Sequence, residues 1–314
     1  MKTITQAFRT LLVFMLIFYC VGVYAQRKEV SYFNDSVEIC PLADKELIDS
    51  CYNLLDRNMM LETDGIYGQI AVIDATTSVV LAWASLEKQL DDDCGWCGDM
   101  VYVPFKKQVC STDIFVPFIA AKCLEESNTP LGKMVDTGCG ILEVNDSLQI
   151  RNHNWRRGGY GEVTFEKALL MKSRIGMYKA LMTMPNGADL WEQAYDTIQK
   201  SNAIELAISF NQMYHQRSSL EYVKEIATGI FEKTGIQHRL APRGIKLAGI
   251  YNILQCDDNK RSSDEFTFVG CFPADNPKYT ISMVVVRPHK LPAAIGMLSK
   301  EVNQLIEWLM NRNI

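Results

Sequence analysis

The sequence predicts an α+β fold in which a central sheet is covered by helices on both faces, with a helical lobe formed by the middle of the chain. Three observations carry this. The stretch Phe266 to Pro288 holds two runs rich in β-branched and aromatic residues, FTFVGCF and YTISMVVV, separated by Pro273, Asn276 and Pro277, so it reads as two strands joined by a turn. In the second run Val284, Val285 and Val286 follow one another without alternation, and a strand apolar on both faces needs cover on both. Strand-like runs lie towards both ends of the chain with helical patterns between them, which calls for one sheet assembled from distant segments.

The elements follow in order. Ala43 to Leu55 reads as a helix, and GQIAVIDATTSVVLAWAS as two strands, Gln69 to Asp74 and Val79 to Ser85, around an Ala-Thr-Thr-Ser turn. The acidic LDDDCGWCGDM that follows is an exposed loop. Ile114 to Leu124 is apolar almost all round, as a buried helix is, and Ser111, Thr112 and Asp113 offer caps in front of it. Thr164 to Met184, Ala188 to Gln199 and Leu220 to Glu232 are helical by composition. After LAGIYNILQ and the strand pair, Pro292 marks a helix start, and Ile295, Leu298, Val302, Leu305, Ile306 and Leu309 form one stripe that should pack on the sheet.

Residues 1–25 carry Lys2 and Arg9 before an apolar core from Leu11 to Val23 and end in small or apolar residues at Val23 and Ala25, the pattern of a secretory signal; an uncleaved N-terminal anchor is the alternative. Residues 26–60 form an N-terminal extension and 61–314 the main domain. The protein is therefore expected to be exported, periplasmic or otherwise extracytoplasmic, touching a membrane only if that segment is retained. A net charge of −5 argues against nucleic acid as partner, because such binding rests on clustered Lys and Arg.

Beyond Cys20 the chain has Cys40, Cys51, Cys94, Cys97, Cys110, Cys123, Cys139, Cys256 and Cys271. Export permits disulfides, and an odd count leaves a free thiol. Cys123 and Cys271 sit in apolar patterns and read as core. Cys94-Gly-Trp-Cys97 has the spacing of a redox pair without the strand-to-helix context such a pair needs, and it lacks a second pair for zinc, so a loop disulfide is expected. His153, His215, His238 and His289 are scattered and read as surface residues; no metal or cofactor site is expected.

Five segments in order, GQIAVIDATTSVVLAWAS, FVPFIAAKCLE, VTFEKALLMKSRIGMYKAL, LAGIYNILQ and FVGCFPADNPKYTISMVVV, resemble the transpeptidase domain of penicillin-binding proteins, particularly the class B type, from about Gly65 to Met310. The resemblance implies the penicillin-binding-protein/β-lactamase-like fold, with a central antiparallel sheet, and peptidoglycan D,D-transpeptidase activity as the family's chemistry. That chemistry needs a serine three residues before a lysine at the start of the buried helix, a Ser-x-Asn motif, and a Lys-Thr/Ser-Gly strand motif. The corresponding positions here are Asp113 and Val116 in the first, Lys172 and Arg174 in the second, and Ile250, Tyr251, Asn252 and Ile253 in the third. The literal Lys233-Thr234-Gly235 ends a helical run, where no sheet edge is expected.

On these residues the resemblance implies a pseudoenzyme with no catalytic residues, binding peptidoglycan stem peptide or cell-envelope proteins. An active serine enzyme using Ser111 or Ser173 is the competing reading, and a redox or adhesive module around the cysteine-rich loop a third. Asp113 either caps the buried helix or pairs with Lys172 in the cleft, where each charge offsets the cost of burying the other. Arg174 is either a solvated helix residue or a planar fork for a carboxylate.

Overall fold

A computed structural model describes residues 44–89, 100–103, 110–146, 148–195, 200–215, 221–258, 261–289 and 294–312. The signal segment, Cys94, Cys97 and Pro292 lie outside them. Among the described residues the chain builds eight α-helices and a six-stranded sheet whose strands lie in the order Ala248–Asp258, Arg261–Phe272, Tyr279–Pro288, Tyr67–Asp74, Val80–Lys88, Met100–Tyr102. Every neighbouring pair in that sheet is antiparallel.

Helix α1 (Lys45–Arg57) opens the described chain, with the Asp44 side chain accepting from Leu47 N–H at 3.2 Å as its cap. A π-helical turn, Asn58–Thr63, leads into β1 (Tyr67–Asp74) and β2 (Val80–Lys88), followed by β3 (Met100–Tyr102). The short β4 (Cys110–Ser111) and a 3-10 turn, Thr112–Phe115, precede α2 (Val116–Glu126). Two small hairpin-like pairs follow, β5 (Met134–Asp136) with β8 (Glu162–Thr164) and β6 (Ile141–Glu143) with β7 (Gln149–Arg151).

The helical lobe continues with α3 (Phe165–Leu170), α4 (Arg174–Leu181) and α5 (Gly187–Tyr195), then β9 (Lys200–Ser201), α6 (Ala203–His215) and α7 (Glu221–Gly229). The sheet is completed by β10 (Ala248–Asp258), β11 (Arg261–Phe272) and β12 (Tyr279–Pro288), and α8 (Ser299–Asn311) is the last described element.

The two-faced cover that the valine run requires is visible in β1. A Cβ added at Gly68 would fall 2.6 Å from Met59 Sδ and 2.9 Å from Leu55 Cδ1, so this face packs on α1 and the π-turn. The next residue, Gln69, points to the other face and accepts from Ala203 N–H at 3.0 Å, seating the start of α6. Asn211 pins the same helix further along, donating to the Ala75 carbonyl at 2.9 Å and accepting from Thr280 Oγ1 at 2.9 Å. On the first face α8 turns the predicted stripe inward, with Leu298, Val302, Leu305, Ile306 and Leu309 all buried.

Several expectations change in detail. Helix α6 was not foreseen, although Ala203, Leu206, Ala207 and Phe210 mark its buried side at helical spacing. The run Thr164 to Met184 is two helices, because Lys172 adopts φ 52° and breaks it. The N-cap of α2 is Phe115, with no side-chain hydrogen bond, and Asp113 sits in the 3-10 turn before it. Cys123 and Cys271 are buried free thiols, as the apolar patterns imply, and burial pushes the Cys123 thiol up to about 12.

Candidate functional site

The three stretches bearing the candidate positions converge at the outer strand, β10. Asp113 arrives on the 3-10 turn before α2, Lys172 on the left-handed break between α3 and α4, and Asn252 on β10 itself. Lys172 Nζ donates to Asn252 Oδ1 at 2.7 Å and to the Tyr251 carbonyl at 3.2 Å. Asn252 Nδ2 in turn donates to Asp113 Oδ1 at 3.2 Å. The expected contact between Asp113 and Lys172 is thus a relay through the Asn252 carboxamide, which fits between the charges with its acceptor to the amine and its donor to the carboxylate. Burial pulls the Lys172 amine down to about 8, against the opposing attraction of Asp113.

The break that presents Lys172 is built locally. Ser173 caps α4, its Oγ accepting from Gly176 N–H at 3.0 Å and donating to Asn152 Oδ1 at 3.0 Å. Asn152 Oδ1 also accepts from Ile175 N–H at 3.1 Å, and both Ser173 and Asn152 are buried. A serine used this way is a structural cap. Ser111 lies in β4, paired with Lys200 of β9.

The other candidate positions are apolar or outward. Val116 and Ile250 are buried in the core, and Arg174 is the exposed first residue of α4. Tyr251 is fully buried, its ring 4.5 Å from Phe268 and 5.9 Å from Phe231. Burial, reinforced by the charge of Glu301, raises its hydroxyl well above the usual tyrosine range, and the hydroxyl has no hydrogen-bond partner among the described residues. Lys233 and Thr234 are exposed in a turn after α7 and belong to no strand.

Sequence reasoning missed three members of this neighbourhood. Gln237 holds the outer edge of β10, its Oε1 accepting from Tyr251 N–H at 2.8 Å and its Nε2 donating to the Tyr251 carbonyl at 2.6 Å. His153 and Tyr160 flank Lys172: the Tyr160 hydroxyl and His153 Nε2 are 2.9 Å apart. Burial lowers the His153 imidazole, helped by the charges of Lys172 and Arg157, while burial pushes Tyr160 up to about 12. His153 is exposed, as expected, while contacting Tyr160. His289 is only half-exposed: its Nδ1 lies 2.7 Å from the buried Asp264, itself bridged to Arg287 at 3.0 Å. No local motif marks these partners, since each depends on a contact between distant segments.

No protein-family model and no curated protein matches the chain. Solved structures do. A crystal structure described as a peptidoglycan glycosyltransferase from Burkholderia ambifaria superposes with a TM-score of 0.64 at 16% identity, over 87% of this chain and 98% of that one. The apo TP domain of Burkholderia pseudomallei penicillin-binding protein 3 superposes with a TM-score of 0.65 at 17% identity, over 90% and 100%. The chain has a penicillin-binding-protein transpeptidase-like fold, α+β with an antiparallel sheet.

Proposed function

We propose that this chain is an exported pseudoenzyme, a penicillin-binding-protein transpeptidase-like protein that binds a component of cell-envelope synthesis without being acylated. The observation that carries the reading is the closed relay Asp113–Asn252–Lys172. Acyl transfer needs a hydroxyl free to attack and a base positioned to take its proton, and base assistance alone is worth about 10² to 10⁴ in rate. Here the amine is engaged with a carboxamide and a carbonyl, and the neighbouring Ser173 hydroxyl spends its donor on Asn152 and accepts a helix N–H. The partner classes are peptidoglycan stem peptide and proteins of envelope synthesis, taken from the resemblance, since fold does not specify function. No helix among the described residues is long and apolar enough to cross a membrane.

The test is acylation. Purified protein incubated with a fluorescent penicillin and separated on a denaturing gel should show no covalent band beside an active transpeptidase control. A band that disappears in Ser111→Ala or in Ser173→Ala would establish the competing serine-enzyme reading.

A further inference from the structure

Among the described residues strand β10 ends the sheet, with β11 on its inner side. In an antiparallel pair, alternate residues point both N–H and C=O away from the partner, and on an edge strand those groups form a template on which an extended peptide can add as a further strand. Tyr251 is such a residue: both its groups turn outward, and both are taken by the Gln237 carboxamide. A carboxamide presents the same donor and acceptor as a peptide unit. The Lys172 amine adds a second donor on the Tyr251 carbonyl.

Gln237 is held in place rather than resting there. It is 1% exposed. Its own N–H donates to the Ile230 carbonyl at 3.0 Å, and the adjacent Ile236 N–H donates to the Leu170 carbonyl at 3.2 Å, tying the turn to the end of α7 and to α3. The turn is tight at Gly235, where a Cβ would fall 2.2 Å from the carbonyl oxygens of Gly229 and Ile230. The turn containing Lys233-Thr234-Gly235 therefore leads the chain directly to the residue that covers the strand edge.

We infer that Gln237 is a built-in occupant of the β10 edge, filling the place of one residue of an added strand, so that the folded chain does not take an extended peptide at Tyr251 unless this side chain is shortened. The inference deepens the non-acylating reading and rests on it for its consequence: stem peptide is shut out of this edge, and binding falls to other surfaces.

Two measurements on the full chain test it. The first is single-residue amide exchange by NMR, comparing the native protein with the near-isosteric Gln237→Met. The Tyr251 amide should exchange as slowly as those of Ile250 and Asn252 in the native chain and about tenfold or more faster in Gln237→Met, the effect of losing one buried hydrogen bond, while Ile250 and Asn252 stay unchanged. The second is titration with a diacetyl-lysyl-D-alanyl-D-alanine peptide, which should shift the Tyr251 and Ile253 amides in Gln237→Gly and leave them unmoved in the native chain.

A native Tyr251 amide that already exchanges at the Gln237→Met rate would overturn the inference, and so would peptide shifts of equal size in native and Gln237→Gly protein. If Gln237→Gly does not fold, the exchange comparison and the native titration decide between these outcomes. A covalent penicillin band would sink the non-acylating reading while leaving the exchange result to judge Gln237 by itself.

Discussion

Replacing Lys172 with Met tests the electrostatics of the relay, because burial has pulled the folded amine from its ordinary 10.5 to about 8. Each tenfold change in proton affinity is worth about 1.4 kcal/mol, so holding the protonated amine in the folded state costs on the order of 3 kcal/mol relative to water. Below pH 8 the amine is protonated in both folded and unfolded chains, and the native state bears the whole cost. Between about 8 and 10.5 the unfolded chain binds more protons at this group than the folded one, so the contribution of Lys172 to stability rises with pH. Above 10.5 it levels off.

Urea unfolding of native protein and Lys172→Met at steps from pH 7.5 to 10 reads this out. Burial-raised tyrosines such as Tyr160 and Tyr214 are common to both proteins and cancel in the difference. The stability of the native protein minus that of Lys172→Met should climb by roughly 2 to 3 kcal/mol across this range. A difference that stays flat, or that falls as pH rises, refutes the placement of the amine under β10.

Three further outcomes follow from single contacts. Ser173→Ala should lose about 1 to 2 kcal/mol in urea unfolding, because it removes the cap of α4 and the partner of Asn152 together. Tyr251→Phe should raise stability by about 1 kcal/mol by thermal denaturation, since it deletes a buried hydroxyl without a partner among the described residues and keeps the ring against Phe268. Arg287→Leu should cost about 3 kcal/mol, because it takes the guanidinium away from the buried Asp264 carboxylate and leaves only the His289 imidazole bridging it; the loss should shrink as pH falls and that carboxylate is protonated.

The sequence by itself determined the frame. The valine run of β12, the turn at Pro273 to Pro277, the largely apolar α2 and the one-sided stripe of α8 each signal burial through their own composition, and burial is what assembles the layers. The resemblance read from the same sequence further implies that Asp113, Val116, Lys172 and Ile250 stand where that family has its acylating residues. A helix such as α6 was legible in principle from Ala203, Leu206, Ala207 and Phe210, yet its position on the sheet depends on Gln69 and Asn211 finding partners far along the chain.

What only the tertiary structure decided is how those positions meet. Asp113 and Lys172 carry opposite charges, which suggests a direct pair, but Asn252 lies between them and offers a donor to one and an acceptor to the other. Gln237 looks like any polar residue in a turn, and its meaning comes from the turn at Gly235 that brings its carboxamide to the open edge of a strand formed by residues further along the chain. Composition and periodicity report which side of an element is buried; they do not report which polar group, brought from elsewhere in the chain, satisfies a particular N–H and C=O, because that pairing exists only once the segments are packed.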